Sequence, residues 1–459
     1  MIAATAFRPP APQPRETPLG LFGWLAAVRR NPIETWTQAH YERPAIVSWR
    51  PSGKRVLVSD PAGVRRIFLD NAANYRKDDL QLRLLRPQRG NGILTAEADE
   101  WRAQRRLLAP MFTPRQIGAF APAMAEAARQ SVERLRRRDD REIDVLSEMA
   151  RLAIEMLNHT LFSSGLSCEA DEYRLAMTSY FNTVGRISIL DLLGLPRPIP
   201  RGGRAVLNWF CRTIDETISA RRKLIASGVT PPRDVLTLLL EMRDPETGQG
   251  MPEDVLRSNT VTFIGAGHEN TANSLTWALY LLSQSHHWRD RVEAEVDAKL
   301  NAGPKETLVD RLPVTKAVLD EALRLYPPSA ILTRTAISAD EIAGTRIEPG
   351  MMVTVAPFVL HRHRKLWDRP DEFDPTRFLP GNRERIDRFA YIPFGFGPRV
   401  CIGMSFALHE TIVALAHLTY AFRFELKHGH VVRPVHRITL RPQGGLPMIL
   451  QPRRPTNEV

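Results

Sequence analysis

Cysteine is scarce in this chain. Cys168, Cys211 and Cys401 are the three in 459 residues, far apart and odd in number. A disulfide framework does not fit that count, a reducing compartment does, and the fold must stand without covalent staples. Long apolar runs are missing too. Leu19 to Val28 is about ten mostly apolar residues, against roughly twenty for a bilayer span, so neither a transmembrane anchor nor a signal peptide is expected. No internal repeat or low-complexity linker divides the chain, and 43% hydrophobic content is enough for a large core. The expectation is a Pro-rich lead over residues 1–20, including Arg8-Pro-Pro-Ala-Pro-Gln-Pro14, then one domain over residues 21–459, in a cytoplasmic, monomeric protein.

A nucleic-acid recognition motif with stacking aromatics is also lacking, although the formal charge is +12 and the pI near 10. The arginines are scattered through amphipathic stretches beside acids, as in Arg134-Leu-Arg-Arg-Arg-Asp-Asp-Arg141. No nucleic-acid partner is expected. The excess reads either as a solvated face or as a docking surface for an acidic protein.

Helical periodicity predominates, for example over Ala123 to Arg137, Ile143 to Phe162 and Trp209 to Ala226. Ala45 to Trp49 and Arg55 to Ser59 flank the hairpin signal Arg50-Pro-Ser-Gly-Lys54. Ile331 to Ala336 and Met352 to Ala356 flank the turn Glu348-Pro-Gly350. The fold class is therefore mainly α with small β-sheets. Pro252 to about Gln284 predicts one long helix, with Pro252 in the first turn and Glu253 and Asp254 at the positive end of its dipole. Inside it, Ala266-Gly-His-Glu-Asn-Thr271 interrupts the apolar run with a glycine and polar residues, the signature of a packing notch, a kink or a functional groove.

The most informative stretch is Phe394-Gly-Phe-Gly-Pro-Arg-Val-Cys401-Ile-Gly403. A lone buried cysteine is ordinarily a small hydrophobe, but Gly395, Gly397 and Gly403 let backbone approach a flat ligand and adopt positive φ. Loop N–H groups can then point at a sulfur and stabilise its thiolate. Elsewhere, Glu321-Ala-Leu-Arg324 puts an acid and a base on one helical face, and Trp101-Arg-Ala-Gln-Arg105 aligns an indole with a guanidinium. His361 and His363, two apart without further ligands, read as scaffold, and His268 receives no role.

Phe-x-x-Gly-x-Arg-x-Cys-x-Gly is complete here and resembles the haem-binding signature of the cytochrome P-450 family. Glu321-x-x-Arg324 followed by Phe373-Asp-Pro-Thr-Arg377-Phe378 resembles the family's buried charge triad, and the irregular segment from Leu366 to Phe396 its meander. By motif the resemblance runs from about Leu94 to His409. It implies a single domain shaped like a triangular prism, with haem b as cofactor and Cys401 as the thiolate ligand to iron, whose electron donation favours O–O cleavage of the O2 co-substrate. It implies that Trp101 and Arg105 serve one haem propionate and Arg334 and Arg399 the other, with Phe394 and Gly403 completing the cysteine loop. Ala266, Gly267, Glu269, Asn270 and Thr271 match the oxygen groove, with one departure: Asn270 stands where the family has a threonine. A hydroxyl both donates and accepts, whereas an amide has separate ends and does not carry protons. Glu269 is then expected to feed protons through a water that Asn270 holds, or Asn270 holds an oxygen of the substrate. Thr271 lies about 100° further round the helix and does not simply replace the missing hydroxyl.

The resemblance implies a haem-thiolate monooxygenase acting on a small apolar substrate. With no flavin or iron–sulfur segment in the chain, electrons are expected from a ferredoxin or flavodoxin and an NAD(P)H-dependent reductase. A peroxide-using or peroxide-rearranging enzyme and a non-catalytic haem or ligand carrier remain as alternatives. Pocket walls are expected from residues 70–94, from residues 176–215 with Ile187, Ile189, Leu190, Leu192 and Leu193 prominent, and from Ala330 to Leu332. Their apolar character suggests a terpenoid, steroid or fatty-acyl substrate.

Overall fold

Why one helix organises the molecule is clear from its burial. Glu253–Gln284 is 32 residues long, roughly 48 Å at 1.5 Å per residue, and from Leu256 to Leu282 nearly every side chain is buried. A helix apolar on all sides belongs inside a core. It packs chiefly against Val145–Leu161, and also against Pro313–Leu325 and Met404–Ala421. The chain, seen here as a computed structural model, is described over residues 7–50, 53–163, 165–183, 188–192, 195, 198–303 and 308–453.

Pro252 is the N-cap residue of the long helix, one position before the first turn where the sequence places it. The polar interruption does not break the helix, which is continuous through Ala266 to Thr271. Gly267 explains part of it, because a Cβ there would lie 2.9 Å from a methyl of Leu157 on the neighbouring helix. Two other helices start earlier than their periodicity predicts: Pro114–Arg136 carries Pro122 within it, and Arg201–Ala226 begins before Trp209.

The largest sheet has five strands in the order Ala45–Arg50, Gly53–Val58, Met352–Val355, Leu332–Ala336, Tyr75–Lys77. Its first hairpin pairs Ala45 with Val58 through to Arg50 with Gly53; residues 51 and 52 of the expected turn lie outside the described residues. Between the other two expected strands the chain adds a small hairpin, Asp340–Ile342 with Thr345–Ile347. Tyr75–Lys77 has no clear strand period, and its pairing of Lys77 with Arg334 brings two cations side by side. Charge repulsion between them needs an anion nearby.

The segment before the cysteine loop is irregular, and a buried ion network fixes it. Glu321 and Arg324, both fully buried, meet at 2.6 and 2.8 Å, and Arg377 Nε lies 3.6 Å from Glu321. Arg324 also donates to the carbonyls of His361, Pro370 and Glu372, and the Asp374 N–H donates to Glu321. His361 accepts from the Ile392 N–H at 2.9 Å, which makes its Nε2 the unprotonated nitrogen, and burial holds its pKa down to about 3. It is scaffold, holding Ile392 two residues before Phe394.

Because removing one partner of a buried pair strands the other, Arg324→Ala should cost about 3–5 kcal/mol. Urea unfolding of wild type and variant measures it, and a loss below about 1 kcal/mol would show that the network does not clamp the segment.

Candidate active site

The cysteine loop is shaped by two glycines. Gly395 and Gly397 both sit at φ +72°, and a Cβ on Gly397 would fall 1.6 Å from the Phe68 carbonyl oxygen, a position no other residue can occupy. The loop closes through the Cys401 N–H, which donates to the Phe394 carbonyl at 2.9 Å. Gly403 differs from expectation: it caps the helix Met404–Ala421 at φ −89°, with no left-handed backbone. Its N–H instead hydrogen-bonds the Cys401 sulfur. Burial pushes the free thiol up, opposed by that N–H and by the Arg105 guanidinium.

Cys401 is ringed by protein, and its accessible surface opens into a cavity of about 370 Å³ between the loop and the long helix. One end of the cavity is cationic. Lys77, Arg105, Arg334 and Arg399 line it, and burial lowers the pKa of all four, that of Lys77 to about 7 and that of Arg334 to about 10. Arg334 and Arg399 lower the pKa of Lys77 further, and Arg399 that of Arg334. Glu97 is the carboxylate among them, 3.0 Å from Arg399. Their other partners are backbone carbonyls: Ala96 for Arg399, Val400 for Arg105, Thr333 for Arg334 and Leu94 for Lys77. The Arg399 guanidinium lies 4.4 Å over the Trp101 ring, so the indole is joined to Arg399 as well as sharing a helix face with Arg105.

Above the loop, the groove side chains are held individually. The Asn270 Nδ2 donates to the Ala266 carbonyl at 2.8 Å, which aims its Oδ1 away, and that oxygen has no partner although Asn270 lines the cavity. Glu269 accepts from the Thr439 hydroxyl at 2.7 Å. Thr271 donates to Glu410 on the cysteine-loop helix at 2.8 Å, so its hydroxyl is turned from Asn270 toward a second buried acid. His268 lies edge-on to Tyr173, and burial lowers its pKa to about 4.

The remaining wall is apolar: Leu85, Ile93, Phe112, Leu161, Phe263, Ile331, Leu332 and Ile438 among others. Residues 70–94 and the Ile331–Leu332 edge contribute as expected, while Ala330 is buried behind it. No described residue of 176–215 lines the cavity. Of the residues singled out there, Leu190 is partly exposed, Ile187 and Leu193 lie outside the described residues, and the side chains of Ile189 and Leu192 are not described. Sequence reasoning missed Lys77, Glu97, Thr439 and Glu410. Lys77 alone left a trace, as a cation in a short run next to a helix cap at Asp78. Among the described residues no three His, Cys, Asp or Glu cluster as a metal site. No described helix is long and apolar enough to cross a membrane.

A helical body with small sheets, built around a cysteine facing a half-cationic, half-apolar cavity, defines a class that comparison with known proteins identifies. The cytochrome P450 family model matches residues 10–447, and the chain belongs to that family. Over 379 residues, 80% of each chain, it is 34% identical to cyclooctatin synthase of Streptomyces melanosporofaciens. It is 33% identical to cyclooctat-9-en-7-ol 5-monooxygenase of the same organism over 94% of each chain. Pentalenene oxygenase of Streptomyces avermitilis is 30% identical, over 92% of this chain and 89% of that one. The crystal structure of the cytochrome P450DA haem domain superposes with a TM-score of 0.84 at 26% identity, covering 97% and 98% of the two chains. The chain is a cytochrome P450 monooxygenase.

The residues present fit the family's haem. A thiol faces the cavity, and four cations that one carboxylate cannot balance line one end of it. Each charge-assisted hydrogen bond to a propionate should be worth about 1.5–3 kcal/mol, roughly 10–100-fold in affinity. Replacing Lys77 with Met, or Arg399 with Ala, should therefore speed haem transfer to an apoglobin acceptor at least about tenfold while circular dichroism remains helical. Unchanged transfer rates in both variants would remove these residues from the propionate site.

Proposed function

We propose that this chain inserts one oxygen atom of O2 into an apolar, terpenoid-class small molecule, with Cys401 as the thiolate ligand of haem b. The observation that carries the reading is the division of one cavity into a cationic edge, a thiol and an apolar wall. Relatives named for pentalenene and cyclooctat-9-en-7-ol support the substrate class over steroid and fatty-acyl compounds. Haem held there supplies the redox chemistry of oxygen activation. Trp101, Arg105, Arg334 and Arg399, with Lys77, hold the propionates. Phe394 and Gly403 shape the thiolate's hydrogen bonds, and Ala266 and Gly267 leave room in the groove. Residues 21–459 act as the haem domain behind a Pro-rich lead, in a cytoplasmic monomer. Electrons reach it from a ferredoxin or flavodoxin and an NAD(P)H-dependent reductase, docking on the arginine-rich surface.

At the groove, Asn270 acts as an acceptor. Its amide nitrogen is spent on Ala266, so its oxygen takes a hydrogen bond from a water or from a substrate hydroxyl. Glu269, tied to Thr439, holds the other end of that polar strip. Losing one neutral hydrogen bond is worth about 0.5–1.5 kcal/mol, roughly 2–10-fold. Asn270→Ala should then lower product formed per NAD(P)H by that factor with substrate affinity intact, if a water is held, or weaken binding and scatter the oxygenation site, if substrate is. A variant unchanged in coupling, affinity and product pattern would leave Asn270 without a part in the groove.

The missing hydroxyl at Asn270 also favours a second reading, a peroxide-using enzyme. Product formed from hydrogen peroxide alone, and none from O2, NAD(P)H and redox proteins, would establish it in place of the monooxygenase. The same assay run over a terpenoid panel tests the substrate class.

A further inference from the structure

The segment from Asn91 to Glu97 is an irregular run of turns, yet it serves both ends of the cavity. Ile93 and Leu94 stand in the apolar wall. The carbonyls of Leu94 and Ala96 accept from Lys77 and Arg399 at the cationic end. A segment without a helix or strand to fix it needs another anchor, and two buried side-chain amides provide one. The Ile93 N–H donates to Asn259 Oδ1 on the long helix at 2.8 Å. Asn259 Nδ2 donates to Gln104 Oε1 and to the Val255 carbonyl, both at 3.0 Å. Gln104 Nε2 then donates to the Asn91 carbonyl at 2.9 Å.

The relay has one workable direction. A backbone N–H only donates and a backbone carbonyl only accepts, so Ile93 fixes which end of Asn259 is oxygen, and Asn91 fixes which end of Gln104 is nitrogen. The two amides then meet donor to acceptor. Asn259 has no exposed surface and Gln104 is 7% exposed, so water does not replace a lost bond at little cost. Between the two anchored residues, Gly92 lies flat against the same helix: a Cβ there would be 2.8 Å from the Ser258 carbonyl oxygen. Gln104 sits on the helix Ala98–Leu108 one residue before Arg105, so the relay joins the three pieces of chain that carry the wall, the groove and part of the cationic end.

Neither amide borders the cavity. Resting on the placement of haem and substrate proposed above, we propose that Asn259 and Gln104 are positioning residues for selectivity. They pin the 91–97 segment so that the wall of Ile93 and Leu94 keeps a fixed distance from the cations that its own carbonyls hold. A wall pinned in this way discriminates among apolar ligands by size and shape; a loose one does not.

The test uses the haem-loaded full chain with Asn259→Asp and, as an independent variant should the first not fold, Gln104→Leu. Asn259→Asp is nearly isosteric and still accepts from Ile93, but it turns an oxygen toward the Gln104 oxygen and the Val255 carbonyl. Amide hydrogen exchange over residues 91–97 and haem transfer to an apoglobin acceptor should both quicken about tenfold, the effect of stranding one buried hydrogen-bonding group. Imidazole and 4-phenylimidazole, titrated against the ferric protein, read selectivity without turnover: the preference for the larger ligand should fall about tenfold while imidazole itself binds as in wild type. Val292→Ala, a buried truncation on the helix His286–Lys299 away from the cavity, should alter none of these. Unchanged exchange over 91–97 in both variants would overturn the anchor, and an unchanged preference between the two azoles would overturn the role in selectivity. The same changes in Val292→Ala would reduce the effect to general destabilisation and equally overturn it. Exchange needs neither azole nor turnover, so a wild-type protein that binds neither azole counts against the haem reading, and the exchange comparison still decides the anchor.

Discussion

Burying Lys77, Arg105, Arg334 and Arg399 around a single carboxylate, Glu97, is unfavourable for the protein by itself. Desolvation lowers the pKa of each, that of Lys77 to about 7. An anionic ligand would restore the balance. Two haem propionates would do this, held by Lys77, Arg105, Arg334 and Arg399, with Cys401 in the same cavity to supply a thiolate. The cavity is thus a place where the fold carries an electrostatic cost that a bound haem would relieve.

Holding the sulfur in register with those cations falls to groups far apart in the chain. The Glu321–Arg324–Arg377 network locks the irregular segment by accepting and donating to its backbone. His361 fixes Ile392, and the Phe394 carbonyl then receives the Cys401 N–H. On the opposite side, Gly397 lets the loop press against the Phe68 carbonyl, in the turn that precedes the Lys77 strand. The cysteine and the cations are therefore parts of one packed unit, and the long helix closes it from above.

What could be read from the sequence is what lies close together in it. Phe394 to Gly403, Glu321 to Arg324 and Ala266 to Thr271 each carry their chemistry within one turn or loop, so residue type and spacing suffice. The long helix was legible from its length and apolarity, although its cap was misplaced by one residue. Lys77 was not legible, because a three-residue strand has too short a period to reveal its face and the partner Arg334 is remote in sequence. Glu410 was hidden for a related reason. Met404–Ala421 is buried around most of its circumference, and an acid inside such a helix has no periodic signal to mark which neighbour it meets. Thr271 was legible as a groove residue, but its turn toward Glu410 depends on how two helices cross. Gly403 shows the reverse case: a motif glycine whose backbone is ordinary and whose use is its N–H.

The central claim is that Cys401 is the thiolate ligand of a haem in this cavity, and the spectrum of the reduced carbon-monoxide complex tests it most directly. Wild type should show the red-shifted Soret band of thiolate-ligated haem, and Cys401→Ala should abolish it. A histidine-type spectrum from freshly prepared wild-type protein, or a red-shifted band that survives in Cys401→Ala, would contradict the account.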